Sequence, residues 1–218
     1  MPPSHIVRDG NQKGSLVQIA YQSVRRMILS RELPSGTVIQ ERKLAESLSV
    51  SRTPMREALG RLEGEGMLVR LTERLLAVRV VTLDEFLHAL QVRRMLEPET
   101  IVLAAPKMDK TIVRDLVDRV KALIDHPEPS LERHWELDQA IHRCIAEATG
   151  NLVLADTIDK LRLSIQLFEI QSVPARVNPG CQEHLEILNA IDAEDPARAR
   201  KAMRTHLDHL RARAMGDL

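Results

Sequence analysis

Four side chains in the second half of this 218-residue chain have the types and spacing of a metal-ligand set. Asp138 and His142 stand four residues apart, which on a helix puts both side chains on one face. His184 and His206 follow in later stretches of helical periodicity, and Leu137, Ile141, Leu185 and Leu207 give all four apolar surroundings. One carboxylate and three imidazoles suit a borderline divalent ion such as Zn²⁺, Ni²⁺ or Mn²⁺, with positions left open for water or a ligand. Spacing does not make the choice unique, because His134 lies one turn before Asp138 and His209 three residues after His206. Imidazoles must be neutral to bind, so affinity is expected to fall as pH drops through the histidine range near ~6.5. The rival chemistry is a metalloenzyme that activates water on the bound ion. It is disfavoured: there is no HExxH, and Glu183 is the only obvious general base.

A second set lies between Glu41 and Gly66, ERKLAESLSVSRTPMREALGRLEGEG. Leu44, Ala45 and Leu48 share one face of a short helix, and Ser49-Val50-Ser51 breaks it with residues that favour turns and caps. A second helix starts at Ser51 or Thr53, where Pro54 costs nothing because a first-turn N–H has no intrahelical partner. Met55, Ala58, Leu59 and Leu62 form its inner face; Ser51, Arg52, Thr53, Arg56 and Arg61 are left outside. Cations at a helix start oppose the macrodipole, so stability alone does not ask for Arg52. A major groove does: Arg pairs bidentately with guanine, Thr meets a thymine methyl or a phosphate, and the first amides accept a phosphate.

The elements that must position these residues are mostly helical. The hydrophobic fraction is 44% and the aromatic fraction 2%, so the core is Leu, Ile, Val, Met and Ala, which suits helices better than a sandwich. Residues 1–14 read as a mobile arm, and Leu16 to Ile28 as a helix behind the helix-turn-helix. Met67–Leu71 and Leu76–Val81 read as two strands of a wing, with Thr72-Glu73-Arg74 between them. From Thr82 or Asp84, as a cap, the pattern is helical to the end, over roughly 83–105, 109–125, 130–148, 151–172, 180–193 and 196–214. Breaks fall at Pro106, Pro127/Pro129, Gly150, Pro174/Pro179 and Pro196, and Pro98 should kink or divide the first segment. The fold class is therefore mainly α: a winged helix-turn-helix over 1–81 and an antiparallel bundle of six or seven helices over 82–218.

Two longer runs carry a resemblance. Pro34-Ser35-Gly36, Leu44-Ala45, Ser51-Arg52-Thr53-Pro54, Arg56-Glu57-Ala58-Leu59, Leu62-Glu63 and Gly66 resemble the winged helix-turn-helix of GntR-type transcriptional regulators. The wing tip departs from that family in having no glycine, which weakens the expectation of a minor-groove contact there. Val92-Arg93-Arg94-Met95-Leu96-Glu97, Asp138-x-x-x-His142, Ala148-Thr149-Gly150-Asn151, Glu183-His184-x-x-Ile187-Leu188 and Ala202-Met203-Arg204-x-His206-Leu207 resemble the effector (FCD) domain of the FadR-type subgroup. The resemblance implies that Asp138, His142, His184 and His206 bind the metal and that Arg93 faces a pocket for a small organic acid. Asn151 and Arg162 are lesser pocket candidates.

The expectation is a non-enzymatic, metabolite-responsive DNA-binding regulator with one divalent ion per chain. It would act as a homodimer on a palindromic operator, the acid shifting DNA affinity by linkage. Arg52, Thr53 and Arg56, with Ser51, would read the operator; Arg42 and Arg74 would meet phosphates. The zero net charge divides into thirteen Lys and Arg against eight Asp and Glu over Met1–Val80, and eighteen against twenty-three over Val81–Leu218, a basic front fit for phosphate. No run approaches the ~18 apolar residues of a membrane span. MPPSHIVRDGNQKGS lacks the apolar region of a secretory signal, and Cys144 and Cys181 form no CxxC, so a cytoplasmic, reducing compartment is expected.

Overall fold

The computed structural model describes residues 10–126, 131–172 and 177–216. Residues 1–9 of the expected arm, and the expected breaks at Pro127, Pro129 and Pro174, lie outside the described residues. The chain divides into two compact units, Met1–Val80 and Val81–Leu218.

In the first unit, α1 (Gly10–Leu29) begins inside the stretch read as an arm from its lack of apolar periodicity. It packs on α3 (Arg52–Glu65), which is linked by a short turn to α2 (Glu41–Ser47). Ala20, Val24 and Ile28 of α1 and Met55, Ala58, Leu59 and Leu62 of α3 are all buried, the outcome their helical spacing dictates. Polar contacts fix the pair: Tyr21 donates to Glu65 Oε2 at 2.7 Å, and the Arg61 guanidinium stacks 3.9 Å above the Tyr21 ring. Arg61 is thereby a structural residue of the α1–α3 contact. Gly66 closes α3 in the left-handed region, at φ 85°, where a side chain would be strained.

The wing pairs β1 (Leu68–Thr72) with β2 (Leu75–Val78) antiparallel, Leu68 opposite Val78 and Thr72 opposite Leu75, with an irregularity between Arg70 and Thr72. The strands meet one residue closer to the tip than alternation suggests, because Thr72 continues the ladder and leaves Glu73-Arg74 as the turn. Residues 79–81, read as the end of the second strand, lie beyond the ladder. A third edge that carries no strand signature of its own joins through Val38 opposite Ala77, with Ile39 N–H donating to Leu76 O at 2.8 Å.

The second unit is a bundle of six described α-helices: α4 (Leu83–Ala104), α5 (Lys110–Ile124), α6 (Leu131–Ala148), α7 (Leu152–Ser172), α8 (Val177–Asp192) and α9 (Pro196–Met215). Thr82, Asp109 and Asp195 cap α4, α5 and α9 by accepting from Glu85, Thr111 and Arg198 amides. α4 runs undivided through Pro98, which is buried among its neighbours, so packing outweighs one lost backbone hydrogen bond. Pro179, expected to break the chain, lies in the first turn of α8, where a missing N–H is harmless. α4 packs against α6, α7 and α9, and α8 against α5, α6 and α9, so α4, α6, α8 and α9 surround one interior. Phe86 and Phe168 stack at 4.5 Å where α4 meets α7. Full burial of a side chain such as Phe86 or Ile141 contributes about 1.5–3 kcal/mol over leaving it in water.

Candidate metal centre and nucleic-acid interface

The apolar stripes that bury these helices carry polar groups inward with them. On α6, Leu137, Ile141 and Ile145 are buried, and Asp138 and His142 stand beside that row. On α8, Ile187, Leu188 and Ile191 do the same for His184, and on α9, Met203, Leu207 and Leu210 for His206. One ligand atom from each of Asp138, His142, His184 and His206 lies within 4.8 Å of the other three. The imidazole rings crowd together, with centroids 4.7 Å apart for His184 and His206 and 5.4 Å for His142 and His184.

What those atoms lack is the more telling observation. Nε2 of His142, of His184 and of His206 are buried and have no hydrogen-bond partner. A buried nitrogen without a hydrogen bond costs about 1–3 kcal/mol, and here three of them face one carboxylate. His184 Nε2 lies 3.1 Å and His142 Nε2 3.7 Å from Asp138 Oδ1. The other oxygen, Oδ2, is held by Arg162, which also donates to the Asp138 carbonyl at 3.0 Å.

The opposite ring nitrogens are anchored. His142 Nδ1 meets Glu97 Oε2, and Glu97 Oε1 in turn accepts from Arg93 Nε at 2.6 Å. His206 Nδ1 lies 2.7 Å from Glu183 Oε2. A ring that gives its Nδ1–H to a carboxylate keeps a lone pair on Nε2, the arrangement common in metal-ligating histidines. Burial pushes His142 down to about 3 and His206 down to about 4 against the pull of these carboxylates, so both rings are neutral at ordinary pH. Burial would raise Asp138, but Arg162 and then the neighbouring histidines hold it well below the usual carboxylate range. Asp138 thus offers a carboxylate and His142 and His206 neutral imidazoles, the donor types that suit a borderline divalent ion.

Of the two other histidines weighed from sequence, His134 is buried with its Nδ1 3.5 Å from Cys181 Sγ, and His209 is half-buried with its Nδ1 2.8 Å from Glu183 Oε1. Glu97 and Glu183 are the contributions that sequence reading missed. Sequence suggests Glu183 only as a general base; in the structure it is occupied by His206, His209 and Arg213. Its position next to His184, and that of Glu97 four residues after Arg93, were the available signals.

Comparison with known proteins decides the family. Residues 16–78 match the sequence profile of "Bacterial regulatory proteins, gntR family", and residues 88–209 match the FCD domain. This chain is a GntR-family transcriptional regulator with an FCD domain. A Streptomyces ambofaciens HTH-type transcriptional regulator in an unstable DNA locus is 29% identical over 189 residues, 86% of this chain and 80% of that one. The Glc operon transcriptional activator of Escherichia coli K12 is 26% identical over 223 residues, 90% and 88% of the two chains. The solved structure of E. coli McbR/YncC shares the fold, with a TM-score of 0.73 and 18% identity over 92% of this chain and 97% of the other.

The GntR helix-turn-helix exposes Ser51, Arg52, Thr53 and Arg56 on the outer face of α3. Both arginines turn back to α2, Arg52 Nε at 3.2 Å and Arg56 Nε at 2.8 Å from Glu41 Oε1. Arg42 pairs with Glu46 at 3.5 Å, also exposed. Arg74 stands exposed in the wing turn, whereas Arg70 is bound by Glu63 at 2.5 Å. Of the pocket candidates, Arg93 and Arg162 are at the FCD cluster, and Arg93 NH2 and Arg162 Nε are buried without a partner. Asn151 is elsewhere in its contacts: its exposed side chain caps α7 by accepting from the Leu154 amide at 3.1 Å. No described helix is long and apolar enough to cross a membrane.

Proposed function

We propose that this GntR-family regulator is controlled by a small organic carboxylate bound beside one divalent ion (Zn²⁺, Ni²⁺ or Mn²⁺) per chain, held by Asp138, His142, His184 and His206. The observation that carries the reading is the convergence of four ligand atoms within 4.8 Å, three of them buried Nε2 atoms without a hydrogen bond. The ion would offer its open positions to the acid's oxygens. Arg93 and Arg162 each keep an unpartnered N–H group with which to meet the remaining negative charge. Asn151 fits that role least, since its side chain is spent on a cap.

On the DNA side, Arg52, Thr53 and Arg56, with Ser51, would read base edges from the start of α3, and Arg42 and Arg74 would meet phosphates. Two copies of the chain would engage a palindromic operator. The E. coli relative is named for an operon that it activates, which supports operon-level control of this kind.

The test begins with metal analysis of the purified protein, expected to hold close to one divalent ion per chain. His184→Ala and His206→Ala should lose the ion and, by calorimetry, most of their affinity for small carboxylates. Retention of ion and acid by both variants would move the site elsewhere, with His134 and His209 next to be replaced. Sedimentation as a monomer, with binding to a single half-site of DNA selected from a random pool, would refute the dimer.

A further inference from the structure

One carboxylate in the bundle gathers three donors from a single helix. Glu183, near the start of α8, has Oε2 2.7 Å from His206 Nδ1 and Oε1 2.8 Å from His209 Nδ1 and 2.9 Å from Arg213 NH1. All three belong to the last three turns of α9. An ionised carboxylate can only accept, so the hydrogen it receives from His206 must sit on Nδ1, which leaves the Nε2 lone pair free. That Nε2 is one of the buried atoms without a partner. Glu183 also immediately precedes His184, so one side chain ties the ligand of α9 to the turn of α8 that carries another ligand.

We infer that Glu183 is a positioning residue for the metal centre: it holds His206 in the Nδ1–H form with Nε2 presented to the cluster, and His209 and Arg213 hold Glu183 in place. This rests on the metal reading above. The same contacts would also arise in a mere α8–α9 brace, so the test must separate tautomer from stability.

Zn²⁺ affinity is measured by competition with a chromophoric chelator, and the His206 tautomer by ¹⁵N spectroscopy of the metal-free protein. Glu183→Gln should weaken Zn²⁺ binding by roughly 10–100-fold, the usual range for losing an outer-shell partner, and shift His206 away from the Nδ1–H form. Glu183→Asp, which keeps the charge, should retain more affinity than Glu183→Gln. Arg213→Met leaves the carboxylate present and should weaken binding less, which covers the case in which Glu183→Gln fails to fold. Arg198→Met is the control, because it breaks another α8–α9 pair, to Glu186 at 2.9 Å, that touches no ligand. Its Zn²⁺ affinity should match that of the wild type. Unchanged affinity in Glu183→Gln, equal losses in Glu183→Gln and Arg198→Met, or a wild-type His206 protonated on Nε2 would each overturn the inference. A wild-type protein that binds no divalent ion would overturn the metal reading and this inference with it, whereas Zn²⁺ binding with His206 protonated on Nε2 would overturn the inference alone.

Discussion

His142 and His206 enter the folded state at the expense of their own basicity. Burial takes them from the ordinary value of 6.5 down to about 3 and about 4, although each touches a carboxylate that pulls the other way. Their folded values are depressed, so between the two states it is the unfolded chain that takes up protons first as pH falls. The metal-free protein should therefore keep full stability above about pH 6.5 and lose it progressively from there toward pH 4, by roughly 3 kcal/mol for His206 alone. Denaturant melts across that range, with metal chelated, check the slope. The His142 and His206 rings stay deprotonated through the same window, so these two ligands should not cost the native protein Zn²⁺ affinity until pH approaches 4. That differs from the fall near ~6.5 expected from free imidazole. The ligand types and the i, i+4 pair are visible in residues 138 and 142, but the burial that resets the titration of His142 comes from the helices packed on α6, chiefly α4 and α7. That burial belongs to packing and has no mark in local sequence.

Glu41 gives α2 a role that its sequence hides. It accepts from both Arg52 and Arg56, the two residues proposed to read bases, so each must leave a carboxylate before it reaches DNA. Exposed pairs of this kind are worth only about 0–1 kcal/mol, small enough for the groove to displace. Glu41→Gln should thus raise operator affinity modestly. Arg52→Ala and Arg56→Ala should each cost about 1–3 kcal/mol and relax choice at one base pair. Arg42→Ala and Arg74→Ala should weaken all sequences alike and reduce the salt slope by about one. Fluorescence anisotropy at several salt concentrations distinguishes the classes, and equal binding by both Arg52→Ala and Arg56→Ala would remove α3 from the interface. Periodicity located α2, α3 and each helix of the bundle, because one buried face repeats every turn. It failed where backbone pairing rather than burial sets the element: the Thr72–Leu75 closure of the wing, the edge at residues 37–39, and the start of α1 at Gly10.

At the scale of the whole chain, the proposed ion touches only α6, α8 and α9, all within the second compact unit. Ligation adds stability to that unit by mass action, about 2.7 kcal/mol at a free concentration one hundred times Kd. Hydrogen exchange on the intact protein should accordingly slow in α6, α8 and α9 when Zn²⁺ is added, while the amides of α1 to α3 exchange as before. Equal slowing in both units would contradict this picture. The order of the four ligands along the chain has a further effect during synthesis. Asp138 and His142 emerge together on α6, His184 later, and His206 only with the final helix. A nascent chain holding the first two alone has no closed cage, and domains fold in the order that they leave the ribosome. Ion capture would then wait until α9 has emerged, and a chain cut short before α9 would be unable to retain the ion.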